Sequence, residues 1–266
     1  MNQLVNVHSN ARIGTNVIIE SFATIQADVE IGDGTWIGPG AVIMDGSRIG
    51  KNCKIFPGAI IGGIPQDLKF QGEITTAEIG DNTTIRECVT VNRGTKARMK
   101  TVIGSNCLLM AYVHIGHDCQ LGNYCILANS VGLAGEVEVG DWAIVGAMSG
   151  VHQFVRIGKH VMISGMSKVA KDVPHYIKAG RDPLSYAGIN SIGLKRRNFS
   201  SEKIEEIKEY YRYVYLKGYN RSAALEVIEK EFSETPERIE ILQFIRSSKR
   251  GIIKGYSDQN QNDDLD

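Results

Sequence analysis

An aliphatic residue at every sixth position constrains this chain more than any other feature. Stepping from Val7, the series runs Ile13, Ile19, Ile25, Ile31, Ile37, Ile43, Ile49, Ile55 and Ile61. It resumes at Ile79, Ile85 and Val91, and again from Ile103 to Val169. Of the 28 positions in the series, 25 are Ile, Leu or Val, and the exceptions Asp67, Glu73 and Ala97 fall in two places only. A small or β-branched residue stands two positions earlier, as at Ala23, Val29, Thr35, Ala41, Ser47, Cys53 and Ala59. A period of six fits neither the 3.6 of a helix nor the plain alternation of a simple antiparallel sheet. It fits a short strand followed by a tight corner. Three such units close one triangular coil of 18 residues with the aliphatics inside, which predicts a mainly β chain, a parallel β-helix of about nine coils.

Composition agrees with that reading. The 266 residues include 29 Gly and 6 Pro, where ordinary usage gives about 19 and about 13. Glycine often follows the aliphatic, as at Gly14, Gly32, Gly50, Gly104 and Gly122, and suits corners that call for positive φ. Continuous strand ladders need their N–H donors, so proline is scarce. Zero formal net charge argues against general nucleic-acid binding. No run of 18 apolar residues offers a membrane span, and the N-terminus has no signal-peptide pattern, so a cytoplasmic protein is expected.

The repeat is interrupted near residues 62–76 and 94–100, with its phase kept on both sides. These segments are either passive insertions or loops on a rigid scaffold, where sites are commonly built. The β-helix is expected over 1–190 and a small α-helical C-terminal domain over 191–256. Its helices are expected near 201–216 with Ser200 as N-cap, 222–232 and 236–247. Ile204, Ile207, Tyr211, Val214 and Tyr215 form an apolar stripe at helical spacing. The Asp-, Asn- and Gln-rich tail 257–266 is expected to be disordered.

Cys53, Cys107, Cys119 and Cys125 occupy the small-residue phase of the hexad, and Cys88 has no CxxC partner. That is packing, not a disulfide framework or a cysteine zinc site, and it fits a reducing compartment. Two of the six histidines fall together in Tyr112-Val113-His114-Ile115-Gly116-His117-Asp118-Cys119. From Ile103 to Val173 the hexad is unbroken, so residues 18 apart stack about 4.8 Å apart. His117 then lies under Gly135, and Gly135 under Gln153. A hydroxyl nucleophile needs a proton acceptor with a pKa near 7, and an attacked carbonyl needs a donor aimed at its developing charge. The column supplies an imidazole, an unobstructed backbone N–H and an amide, the parts of an acyl-transfer site. Asp118 could orient His117, although strand neighbours point to opposite sides unless a corner falls there.

The segments Ile64-Pro65-Gln66-Asp67-Leu68-Lys69, Ile85-Arg86-Glu87, Asn92-Arg93-Gly94-Thr95, His114-Ile115-Gly116-His117-Asp118, Val151-His152-Gln153-Phe154 and Gly193-Leu194-Lys195-Arg196-Arg197 resemble those of the UDP-N-acetylglucosamine O-acyltransferases. The resemblance covers nearly the whole chain. It implies a left-handed β-helix, a handedness the period alone does not fix. It also implies transfer of a 3-hydroxyacyl group from acyl carrier protein to the glucosamine 3-hydroxyl of the UDP-sugar, the first dedicated step of lipid A synthesis. No cofactor is implied beyond the carrier's phosphopantetheine. By the same resemblance His117 is the general base, Asp118 its neighbouring acid and Gly135 the oxyanion donor. Asp67, Lys69, His114, His152 and Gln153 line the substrate region. Asn190, Arg196 and Arg197 meet the nucleotide, phosphate or carrier end, and Gly165 with Met166 limits acyl-chain depth. The family works as a homotrimer with sites between subunits, which accords with Gly165 standing out of step with the His117 column.

Two positions depart from the pattern. Glu136 stands where many relatives carry a sugar-contacting histidine and is taken as a variant that still contacts the sugar; stacked over Asp118, the two carboxylates would repel unless a substrate hydroxyl, a proton or a basic group lay between them. Ile192 stands where some relatives have an acid. The basic residues Lys195, Arg196, Arg197, Lys249, Arg250 and Lys254 are either a solvated face or a rim that steers an acidic carrier protein. Competing readings are an N-acyltransferase of the same pathway, a zinc enzyme resembling γ-carbonic anhydrases, and a non-enzymatic β-helix. The zinc reading needs three converging imidazoles, and His152 lies about two coils from His114 and His117. The non-enzymatic reading wants a flat repetitive Thr face, which is absent.

Overall fold

The computed structural model describes residues 4–255, so the tail 257–266 lies outside the described residues. The hexads fold as short strands of two to four residues separated by turns, and the strands stack in parallel into three sheets. The first face holds nine strands, from Asn6–Val7 to Lys168–Val169. The second holds eight, from Arg12–Ile13 to Arg156–Ile157, and the third begins at Ile18–Ile19. Register follows the 18-residue coil, with His114 paired to Gly132 and Gly132 to Gly150. Across the interruptions Ile61 pairs with Val91 and Val91 with Ile115. The first excursion therefore adds two hexads to its coil and the second adds one.

Each hexad sends two side chains inward, the aliphatic and the small residue two positions before it. Ala23 and Ile25, Ala41 and Ile43, and Val113 and Ile115 are all fully or almost fully buried. Pairing a large with a small residue on each wall fills the narrow triangle without strain. Buried polar members of the small set are satisfied by the neighbouring coil. Thr35 and Thr83 donate to Gly50 O and Gly104 O at 2.8 Å each. The Cys53, Cys107, Cys119 and Cys125 thiols each donate to a carbonyl at 3.1–3.3 Å.

Gly34, Gly40, Gly46 and Gly58 take the positive φ expected at corners, but the glycine directly after the aliphatic plays a different part. Positive φ falls three residues after the inward aliphatic, often on non-glycine residues such as Asn16, Asn52, Asn82 and Asn106; asparagine tolerates this conformation better than most residues. The glycine directly after the aliphatic answers instead to coil spacing. A Cβ on Gly32 would lie 2.6 Å from the Gly50 carbonyl carbon, and one on Gly104 would lie 2.4 Å from Gly122 O. Backbone stacked at strand spacing leaves no room there.

Past the last coil the chain does something the repeat does not announce. Ile177–Gly180 joins the third sheet and turns back as the antiparallel strand Ser185–Ile189, to which Lys254–Gly255 adds in parallel. Helix α1 (Ser191–Arg196) follows, then α2 (Ser201–Tyr215), α3 (Arg221–Glu231) and α4 (Pro236–Arg246). Ser200, Asn220 and Thr235 cap the last three, each accepting a backbone N–H from the first turn. Ile204, Ile207, Tyr210 and Tyr211 form the buried face of α2. The helices are tied to the prism by Tyr211 OH on His175 O at 2.7 Å, Tyr176 OH on Glu240 at 2.5 Å, and Arg156 over the Phe244 ring at 4.3 Å.

Candidate active site

Residues 117 and 118 sit at the turn between the first and second faces, and Asp118 has φ of +60°. That left-handed residue removes the strand objection and lets adjacent side chains meet. The His117 Nδ1 lies 2.8 Å from Asp118 Oδ2. Asp118 is fully buried and His117 is 9% exposed. The Asp118 carboxylate also accepts from Thr95 N at 3.0 and 3.1 Å, Thr95 Oγ1 at 2.6 Å and Arg98 N at 3.1 Å. Its own N–H donates to Thr101 Oγ1 at 2.8 Å. The donors around the carboxylate leave Oδ2 able to accept from the imidazole through Nδ1 as well. Nε2 is then left as an acceptor.

Gly135 lies against that nitrogen. A Cβ built on Gly135 would fall 2.4 Å from His117 Nε2 and 2.5 Å from Cε1. The coil above therefore tolerates no side chain here. Glu136 N–H donates to His117 O at 2.9 Å, which fixes the register of the corner. The Gly135 N–H donates to none of the described backbone carbonyls. Gln153 follows one coil further on, half-buried.

The corner divides two depressions. On the first face a groove of about 420 Å³ is lined by His114, Ala134, Gly150, His152 and Lys168. On the second face a cleft of about 580 Å³ is lined by Arg98, Glu136, Glu138, Lys249 and Arg250. His114 accepts or donates at Thr90 Oγ1 over 2.8 Å, and burial lowers its pKa, favouring the neutral ring. His152 is exposed, with Nδ1 3.0 Å from Gln153 O. Glu136 lines the second cleft, whereas Asp118 is spent on the residue 94–100 excursion. The two carboxylates do not share a site, and the mediator expected between them is not required.

Other sequence-assigned residues are not at this corner within one chain. Asp67 accepts from Lys69 N at 2.9 Å inside the first excursion, and neither contacts His117. Gly165 and Met166 lie on the turn between the third and first faces, with Met166 81% exposed. Asn190 caps α1 through Gly193 N at 3.2 Å and donates to His160 O at 2.8 Å, so both ends of its amide serve the fold. The Arg197 guanidinium lies 4.9 Å over the Trp142 ring and 3.3 Å from Trp142 O, while Arg196 is exposed. Among the described residues no group of three or more His, Cys, Asp or Glu is placed to hold a metal ion, and no helix is long and apolar enough to cross a membrane.

Sequence reasoning assigned no role to Thr95, Arg98 or Thr101. The signal was available, because an excursion that adds one hexad places Gly94 beneath Asp118.

Comparison with known proteins meets this geometry. A family model described as UDP N-acetylglucosamine O-acyltransferase, domain 2, matches residues 172–253. Bacterial transferase hexapeptide repeats match residues 28–63 and 100–135. An acyl-(acyl-carrier-protein)-UDP-N-acetylglucosamine O-acyltransferase of Chlorobaculum parvum is 62% identical over 194 residues, which is 73% of this chain and 74% of that protein. The protein of the same name from Thermodesulfovibrio yellowstonii is 43% identical over 93% of this chain and 96% of its own. The crystal structure of a UDP-N-acetylglucosamine acyltransferase from Bacteroides fragilis superposes with a TM-score of 0.94 at 52% identity, covering 96% of this chain and all of that one. The chain, a left-handed parallel β-helix with a small α-helical C-terminal domain, thus belongs to the UDP-N-acetylglucosamine O-acyltransferase family.

Proposed function

We propose that this protein transfers a 3-hydroxyacyl group from the phosphopantetheine thioester of acyl carrier protein to the glucosamine 3-hydroxyl of UDP-N-acetylglucosamine, the step that opens lipid A synthesis. The observation that carries the reading is the His117 ring, with Nδ1 2.8 Å from Asp118 Oδ2 and Nε2 turned to Gly135. In this reading Nε2 takes the proton of the sugar hydroxyl as its oxygen bonds to the thioester carbon. The carbonyl oxygen gains negative charge and accepts from the Gly135 N–H. Collapse restores the carbonyl, breaks the C–S bond, and returns the proton from His117 to the departing sulfur. No other cofactor enters.

The remaining residues take their places around that event. His114, neutral by burial, and His152, Gln153 and Glu136 flank the corner and suit the polar sugar and pantetheine amides. Lys69 and Arg196 suit the phosphates, Asp67 orients its own loop, and Arg197 is preset by Trp142. Gly165 and Met166 set acyl depth from a neighbouring subunit of a homotrimer. Exposed apolar side chains on the parts that do not reach His117 in one chain support that assembly, Leu68 and Ile74 on the first excursion and Met148 and Met166 on the far corner. Exposed Lys195, Arg196 and Lys249 offer positive charge suited to an acidic carrier.

The test is mass spectrometry after incubation with UDP-N-acetylglucosamine and a mixture of 3-hydroxyacyl carrier proteins. A sugar nucleotide carrying one base-labile O-acyl ester is expected. A base-stable amide, or free hydroxy acid alone, overturns the reading.

A further inference from the structure

The residue 94–100 excursion does not read as a spare loop. It adds one hexad between strands Thr90–Asn92 and Lys100–Ile103, and its ends pinch together so tightly that a Cβ on Gly94 would lie 2.2 Å from Lys100 N. Inside the pinch Met99 N–H donates to Thr95 O at 2.7 Å and Ala97 N–H to Thr95 Oγ1 at 3.2 Å. The resulting bend turns Thr95 N, Thr95 Oγ1 and Arg98 N toward one point, the Asp118 carboxylate. Thr95 N–H bridges both carboxylate oxygens at 3.0 and 3.1 Å and Arg98 N–H donates to Oδ1, while Oδ2 also takes the Thr95 hydroxyl at 2.6 Å and faces His117 Nδ1 at 2.8 Å. The Arg98 side chain anchors the bend two coils further along through Glu138 at 2.6 Å.

We propose that this excursion is a carboxylate cradle, and that Thr95 and Arg98 are positioning residues that aim Asp118 Oδ2 at His117 and so hold the imidazole with Nε2 toward Gly135. The proposal rests on His117 acting as the general base. Two physical points carry it. A fully buried carboxylate needs its lone pairs satisfied, and three loop donors leave one direction for the imidazole. Two donors converging on Oδ2 also fix the carboxylate's rotation, which the histidine alone would not do. Reactive groups lose activity steeply when their supports are loosened.

The test is a double-mutant cycle on the assembled protein. Thr95→Val removes the hydroxyl and keeps the backbone donor, and Thr95→Ser keeps both. Thr95→Val is expected to lower kcat about tenfold with the KM for UDP-N-acetylglucosamine unchanged, and Thr95→Ser to stay within about twofold of the parent. In an Asp118→Ala background Thr95→Val should cost less than about twofold, because the residue through which it acts is gone. A parent-like kcat for Thr95→Val, or the same loss in both backgrounds, overturns the cradle. If valine disturbs the thermal melt, Thr95→Ala enters the same cycle with the same criteria. His117→Ala is measured alongside. Retained turnover there removes the general-base reading itself, whereas an inactive His117→Ala beside a normal Thr95→Val removes the cradle alone.

Discussion

Two corners of the prism carry histidines, and they show what turns a structural ring into a chemical one. His117 stands where the first face meets the second, and His160 where the second meets the third. Both sit at a two-residue corner of a hexad, His117 at its first residue and His160 at its left-handed second. His160 lies in a ladder of rings, 6.4 Å from Trp142 and 5.5 Å from Tyr176, with Arg197 at 3.5 Å from its Nδ1. Burial, then the Arg197 charge, pushes its pKa down to about 4. Nearby His175 is likewise pushed to about 4 by burial, with its Nδ1 accepting the Lys159 N–H at 2.8 Å. Those two are neutral packing groups at neutral pH. His117 differs in having a buried carboxylate on one nitrogen and a bare glycine at the other. The coil corner supplies both His117 and its Asp118 partner, and the excursion holds that partner in place.

Replacing the glycine tests the contrast most severely. Gly135→Ala would drive a methyl into the His117 ring, and acyl transfer is expected to fall about 100-fold or more with the melting temperature little changed. A fully active alanine variant would show that the corner does not hold the ring where it is described. The packing histidines should instead report through stability. His175 has a folded pKa of about 4 against an ordinary 6.5. As pH falls from 6.5 toward 4 the unfolded chain binds a proton that the folded chain refuses, so stability is lost over that window and is complete above it. The loss amounts to about 3 kcal/mol at the lower end. Chemical denaturation followed by tyrosine fluorescence between pH 7 and 4.5 measures it, and His175→Asn, which keeps an acceptor for Lys159, should flatten the slope. An unchanged slope in that variant places the pH dependence elsewhere. The smallest effect is expected at His160→Phe, which keeps a ring in the ladder. Turnover should stay within about threefold, and a hundredfold loss would erase the distinction between the two corners.

The inward residues, from Ile25 to Val169, were legible in the sequence because a six-residue period admits few packings, and the column of His117, Gly135 and Gln153 followed from counting by 18. Helix α2 was legible through its Ser200 cap and apolar stripe, and α3 and α4 fell near the ranges expected for them. The hairpin 177–189 and α1 were not, since α1 is short and its cap Asn190 is followed by Ser191, exposed Ile192 and Gly193, with no stripe. The glycine role was misread because a period shows where glycine recurs but not whether conformation or contact demands it. Thr95 and Arg98 were missed for a related reason. Two of their donors to Asp118 are backbone N–H groups, which no residue type advertises, and the third, the Thr95 hydroxyl, meets Asp118 only through the irregular part of the chain.

The central claim is that His117 is the base of an acyl transfer. Its most direct test is the single-turnover rate of His117→Ala with 3-hydroxyacyl carrier protein and UDP-N-acetylglucosamine, measured on protein whose melting temperature and oligomeric state match the parent. The account predicts a loss of about 1,000-fold or more. Transfer within about tenfold of the parent rate by a correctly assembled variant would contradict it.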